Sequence, residues 1–143
     1  TLFTIVLAGC GTAQYPSEEF LAENTKTGLS EDEVIRLIEK GSNIKSLGDR
    51  IDYYSEAFLG VPYSKSGLGE GSPDAYDSDP LYRFDELDCT IYVETVLALS
   101  RSNHFTDFKN HMNRIRYLNG EVSFVTRNHF PSGDWIPRNT QNG

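Results

Sequence analysis

Leu87-Asp88-Cys89-Thr90-Ile91-Tyr92-Val93-Glu94-Thr95-Val96-Leu97-Ala98-Leu99 decides how this chain is read. Asp88 suits an N-cap, because its carboxylate can accept from the orphan N–H groups of a first helical turn. Ile91, Val93, Val96, Leu97 and Leu99 then make the helix apolar on most sides. Such a helix is expected at the centre of a fold, buried. Cys89 falls in its first turn. A thiolate there faces unpaired N–H groups and the positive end of the helix dipole, both of which favour the anion. Asp85, Glu86 and Asp88 oppose it, since nearby carboxylates disfavour a second negative charge. Forty residues on, Arg127-Asn128-His129-Phe130 closes a strand-like run. A thiol and an imidazole on two such elements can perform nucleophilic acyl transfer if the fold brings them within hydrogen-bond reach. The alternatives are a buried inert cysteine and a histidine satisfied within a strand or at the surface.

Outward from this stretch, the elements follow from local signals. Ser30-Glu31-Asp32-Glu33 is a capping box. Val34, Ile35, Leu37 and Ile38 follow at helical spacing, and Gly41 ends that helix. Leu47-Gly48-Asp49 opens a second helix, with Ile51, Tyr54, Ala57 and Phe58 recurring at about 3.6 residues and Gly60 closing it. Ser64 to Pro80 is a long irregular segment rich in Gly, Ser, Asp and Pro. Loops of this length are uncommon in compact domains and often functional, here a candidate for substrate selection. Phe105, Phe108, Met112 and Ile115 mark an amphipathic helix ending near Arg116. Asn119-Gly120 is a hairpin-turn signal. Glu121 to Phe130 then reads as a strand, with Val122 and Phe124 on one face and Val125, Arg127 and His129 on the other. The order is helices, a buried helix, then a strand: an α+β pattern. One strand is not a sheet, so the chain reads as cut short at its C-terminus.

With 143 residues the chain suits one domain. Its net charge of −8 comes without a basic stripe, which sets nucleic-acid binding aside. Two cysteines, Cys10 and Cys89, are too few for a disulfide scaffold, and no C-x-x-C pair suggests a thiolate zinc site. Leu2 to Leu7 is apolar and too short to span a bilayer, like the end of a secretory h-region. Leu7-Ala8-Gly9-Cys10 resembles a bacterial lipobox. That predicts residues 1–9 as the end of a signal peptide, a lipid on Cys10 and residues 10–28 as a tether. The protein would then sit in the cell envelope, held to a membrane by its lipid. A buried strand with an incidental cysteine is the alternative.

Five separated blocks carry a resemblance to a known family. Phe58-Leu59-Gly60-Val61-Pro62-Tyr63, Leu87-Asp88-Cys89-Thr90 and Arg127-Asn128-His129-Phe130 together resemble the NlpC/P60 superfamily of papain-like peptidoglycan hydrolases. With Ile115-Arg116-Tyr117 and Asp134-Trp135-Ile136-Pro137 added, the chain resembles the DUF1460 branch, over roughly Ile51 to Asn139. The usual Asp-Cys-Ser-Gly of the superfamily reads Asp88-Cys89-Thr90-Ile91 here. The branch tends to carry Thr at both following positions, so Thr90 fits and Ile91 is a variation.

The resemblance implies a papain-like fold, with N-terminal helices and the nucleophile-bearing helix packed on an antiparallel sheet. Residues 29–143 would be the N-terminal part of that catalytic domain. It implies Cys89 as nucleophile and His129 as general base. The bond cut would be N-acetylmuramoyl-L-alanine, in peptidoglycan or anhydro-muropeptides, with no cofactor. Tyr63 matches a superfamily tyrosine and could add an oxyanion donor; it could equally pack beside Pro62. Asp134 is the nearest carboxylate to orient His129, unless it bonds a local turn around Gly133 and the orienter lies on a strand beyond Gly143, the superfamily's usual place for it. Arg127 could pair a substrate carboxylate or be a surface charge. Trp135, Tyr76 and Tyr82 could line a sugar or peptide groove or equally pack in the core or a loop.

Other readings stay open. An endopeptidase would cut within the stem peptide instead. A non-catalytic lipoprotein would bind the wall without cutting it. His104, Asp107 and His111 share one side of a helix and could hold a metal, but the spacing is not that of helical zinc motifs. Asp74, Asp77 and Asp79 do not match an EF-hand loop.

Overall fold

The computed structural model describes residues 27–65, 67–73 and 76–142. Cys10, the expected leader and the expected tether as far as residue 26 lie outside them. Among these residues five α-helices occur in order: α1 (Glu31–Gly41), α2 (Leu47–Ala57), α3 (Cys89–Ser100), α4 (Phe105–Arg116) and α5 (Ile136–Asn142). None is long and apolar enough to cross a membrane.

The expected caps form. Ser30 N–H donates to Glu33 Oε2 at 2.8 Å while Glu33 N–H donates to Ser30 Oγ at 3.3 Å, the reciprocal capping box of α1. Ser46 caps α2, and Asp88 caps α3 by accepting from Ile91 N–H at 2.7 Å. Val34 and Ile38 turn into the core from α1, Tyr54 from α2 and Phe108 and Met112 from α4. A Cβ on Gly41 would fall 2.2 Å from the Tyr54 hydroxyl, so the end of α1 meets α2 at a distance only glycine allows.

Buried α3 is the hub. Ile91, Val96, Ala98 and Leu99 are all 4 % exposed or less, so the apolar run does place this helix inside. One face is open: Val93, expected in the core, is 43 % exposed. An aromatic cluster closes the far side, where Tyr82 meets Phe108 edge-on at 5.6 Å and Phe84 packs on Phe108 at 5.4 Å.

The expected α+β fold with an antiparallel sheet is not what forms. Among the described residues there is no strand and no sheet, only two isolated bridges, Tyr63 with Leu87 and Tyr117 with Arg127. The Asn119-Gly120 turn is present, with φ of 56° and 75°. The segment beyond this turn does not extend into a strand. Thr126 Oγ1 donates to Glu121 O at 2.5 Å and Ser123 O at 3.0 Å, and Arg127 N–H donates to Ser123 O at 3.1 Å. These local bonds turn the chain back at Ser123–Thr126, in competition with a ladder. The alternation across Glu121–Phe130 has a strand's period without a strand's partners. After His129 the chain makes a π-type turn, Pro131–Trp135, that runs into α5, a helix not expected from the sequence.

The long loop is not a loose excursion either. Gly69 N–H donates to Pro80 O, Glu70 N–H to Asp77 O and Gly71 N–H to Asp79 O, at 3.1, 3.0 and 2.8 Å. Arg116, only 5 % exposed, donates to the carbonyls of Leu68, Gly69 and Leu81 at 2.8, 3.3 and 2.9 Å. Tyr117 Oη adds a bond to Gly69 O at 2.9 Å, and burial pushes its hydroxyl up to about 12.

Candidate active site

Cys89 is a free, exposed thiol on the first residue of α3. The chain enters α3 along a fixed line: Leu87 N–H donates to Pro62 O at 3.0 Å and Ser64 N–H to Leu87 O at 3.1 Å. The Asp88 carboxylate is taken by Ile91 N–H. The N–H groups of Cys89 and Thr90 lie where a helix has no carbonyl of its own to offer them.

His129 arrives from the other side. Asn128 N–H donates to Arg116 O and Asn128 Nδ2 to Ile115 O, both at 2.8 Å, which ties this segment to the end of α4. Arg138 Nη1 in turn donates to Asn128 Oδ1 at 2.6 Å. Cys89 and His129 line one cleft of about 400 Å³, together with Thr90, Val93, Asn128, Pro131, Trp135 and Ile136. Its walls are mostly apolar carbon.

His129 Nε2 lies 2.8 Å from the Phe124 carbonyl oxygen. A carbonyl only accepts, so Nε2 carries a hydrogen, and in the neutral ring that leaves Nδ1 as the acceptor. The Phe124 ring packs against the imidazole at 4.8 Å. Among the described residues the imidazole Nε2 is thus held by the Phe124 backbone carbonyl and not by Asp134. The Asp134 carboxylate accepts from the backbone N–H groups of His129 (3.1 Å) and Phe130 (2.8 Å), the local-turn alternative.

Other expected site residues sit elsewhere. Tyr63 is bridged through its backbone to Leu87, but its side chain is 71 % exposed and does not line the cleft. Arg127 is occupied by the protein: Nε and Nη2 reach Glu70 Oε1 at 2.6 and 2.5 Å, and Nη2 reaches Asp77 Oδ2 at 2.8 Å. That guanidinium holds the Asp77 carboxyl below its usual value. It locks the long loop rather than facing a substrate carboxylate. Trp135 does line the cleft, with Nε1–H donating to Glu94 Oε1 at 2.7 Å.

Asp107 accepts from the N–H groups of Asn103 and His104, at 3.1 and 2.9 Å, and so caps α4. Among the described residues no three His, Cys, Asp or Glu side chains are grouped to hold a metal.

A family model described as AmiA-like, N-acetylmuramoyl-L-alanine amidase-like, matches residues 53–142. The match takes in both sides of the cleft. The chain belongs to this amidase-like family. Among solved structures, this AmiA-like chain resembles a DUF1460-family protein from Legionella pneumophila, with 40 % identity and a TM-score of 0.71 over 79 % of this chain and 39 % of that one. It also resembles an N-acetylmuramoyl-L-alanine amidase from Bacteroides uniformis, with 29 % identity and a TM-score of 0.57 over 68 % of this chain and 41 % of that one. A Bacteroides fragilis protein described as a xylanase candidate matches at 30 % identity and a TM-score of 0.54, over 63 % of this chain and 39 % of that one. The DUF1460 resemblance read from the motif blocks is thus borne out. The chain spans about two fifths of the length of these structures. No curated protein matches it.

Two parts of this site escaped the sequence reading. A backbone carbonyl such as that of Phe124 has no residue signature. Glu94 did carry a signal: it is the single charge in the α3 sequence CTIYVETVLALS.

Proposed function

We propose that the chain carries the thiol and imidazole of a cysteine amidase that cleaves the N-acetylmuramoyl-L-alanine bond of peptidoglycan fragments. The observation that carries this reading is the shared cleft of Cys89 and His129 in a chain of an amidase-like family. His129 Nδ1 takes the thiol proton, and Cys89 Sγ attacks the lactyl carbonyl. The N–H groups at the start of α3 face the oxyanion that forms. The amine of L-alanine leaves with the proton from His129, and water then hydrolyses the thioester. The B. fragilis neighbour suggests glycoside hydrolysis instead. That chemistry uses a pair of carboxylates, whereas the residues lining this cleft include no Asp or Glu.

The test is incubation of wild type and Cys89→Ala with defined anhydro-muropeptides, followed by mass spectrometry. Intact stem peptide is expected from wild type alone. Products cut within the stem would make the protein an endopeptidase. Binding without turnover would leave a wall-binding module.

We also propose that the protein is held in the cell envelope by a lipid on Cys10, on the strength of Leu7-Ala8-Gly9-Cys10. Radiolabelled palmitate is expected to label wild type and not Cys10→Ala; equal labelling would refute the anchor.

A further inference from the structure

Glu94 is a carboxylate that the proposed chemistry does not use. It lies in α3 five residues after Cys89 and is 5 % exposed. Burying a charge in an apolar helix is costly unless it is paired and hydrogen-bonded. Here it is both: Oε1 accepts from Trp135 Nε1 at 2.7 Å, and Oε2 lies 3.6 Å from Arg116 Nε. Burial raises the Glu94 carboxyl above its ordinary value, while Arg116 and the Trp135 N–H pull it down.

Trp135 closes the turn Pro131–Trp135, which begins two residues after His129. This turn is internally tied. Asp134 N–H and Trp135 N–H donate to Phe130 O at 3.0 and 3.1 Å, and the Asp134 carboxylate returns to the N–H groups of His129 and Phe130. Residues 129–135 are therefore tied to one another, and the Trp135–Glu94 bond joins them to the helix that starts at Cys89. A charge-assisted bond of this kind is short and directional.

We propose that Glu94 is a positioning residue: through the Trp135 indole it holds the turn bearing His129 against α3 and so sets the thiol–imidazole geometry. The rate it protects rests on the amidase reading above; the clamp itself does not. A shift of about 1 Å in such a pair costs on the order of 100-fold in rate.

The test uses the full chain as wild type, Glu94→Gln, Glu94→Leu and Trp135→Phe. Trp135 is the chain's only tryptophan, so its emission reports the clamp directly. Three quantities are compared: acrylamide quenching of that emission, the iodoacetamide alkylation rate of Cys89 read on its peptide, and kcat and KM on an anhydro-muropeptide. Glu94→Leu is expected to raise quenching and change the alkylation rate, and Glu94→Gln, which keeps an acceptor oxygen, to recover most of both. Trp135→Phe leaves the Glu94–Arg116 pair in place and keeps the comparison open if Glu94→Leu does not fold. It is expected to change the alkylation rate and to lower kcat about 10- to 100-fold, with KM within about threefold. Unchanged quenching in a folded Glu94→Leu, or wild-type kcat in Trp135→Phe, overturns the proposal. If wild type turns over no substrate, the amidase reading fails instead. Quenching in Glu94→Leu and alkylation in Glu94→Leu and Trp135→Phe then decide the clamp: changed values sustain it, and unchanged values overturn it.

Discussion

His129→Ala is expected to lower kcat/KM on anhydro-muropeptides by about 10⁴-fold or more, the scale seen when one member of a nucleophile–base unit is removed. The fold is expected to tolerate the change. The backbone bonds of this segment do not need the imidazole: Asp134 still accepts from N–H groups 129 and 130, and Asn128 still holds Ile115 and Arg116. The change removes the ring whose Nε2 is tied to the Phe124 carbonyl, and with it the Nδ1 lone pair. Steady-state kinetics beside a thermal melt separate the two effects. Partial recovery by added imidazole would locate the loss in proton transfer. A loss below tenfold would remove His129 from the role of base.

Arg116→Met is expected to be the most damaging substitution for stability, by about 3–5 kcal/mol, because it leaves a buried carboxylate without its charged partner. The same change strips donors from the carbonyls of Leu68, Gly69 and Leu81, so the long loop loses its attachment to α4. The loss has a pH signature. Without Arg116 the Glu94 carboxyl rises further above its ordinary value, since burial is already the largest influence on it. A carboxyl whose folded value is raised lets the unfolded state ionise first. Stability therefore falls as pH rises from the unfolded value, about 4.3, and levels off above the folded one. The gap between Arg116→Met and wild type in urea midpoint is expected to narrow on acidification. A gap that stays constant with pH would mean that the carbonyl contacts, and not the Glu94 charge, carry the cost.

The helices could be read from neighbours in sequence. The Ser30–Glu33 box, the Asp88 cap and the apolar periods of α1 to α4 act within one or two turns, where spacing along the chain is spacing in space. The strand failed for the same reason in reverse. Glu121–Phe130 alternates, but alternation only offers two faces, and pairing needs partners that local Ser123–Thr126 bonds displaced. Asp134 and Arg127 are engaged with other partners because a charge takes the best partner the fold supplies. For Asp134 that partner is two backbone N–H groups close by. For Arg127 it is Glu70 and Asp77, at least fifty residues away.

By itself, then, the sequence determined that a thiol stands on the first residue of a buried helix and that an imidazole comes later in an amidase-family motif, because caps and periodicity are short-range. Only the tertiary structure decided that Cys89, His129 and Trp135 share one cleft, that a carbonyl sets the imidazole's tautomer, and that Glu94 reaches across to Trp135. Those choices depend on backbone carbonyls and on contacts between distant segments, and neither leaves a pattern in the order of residues.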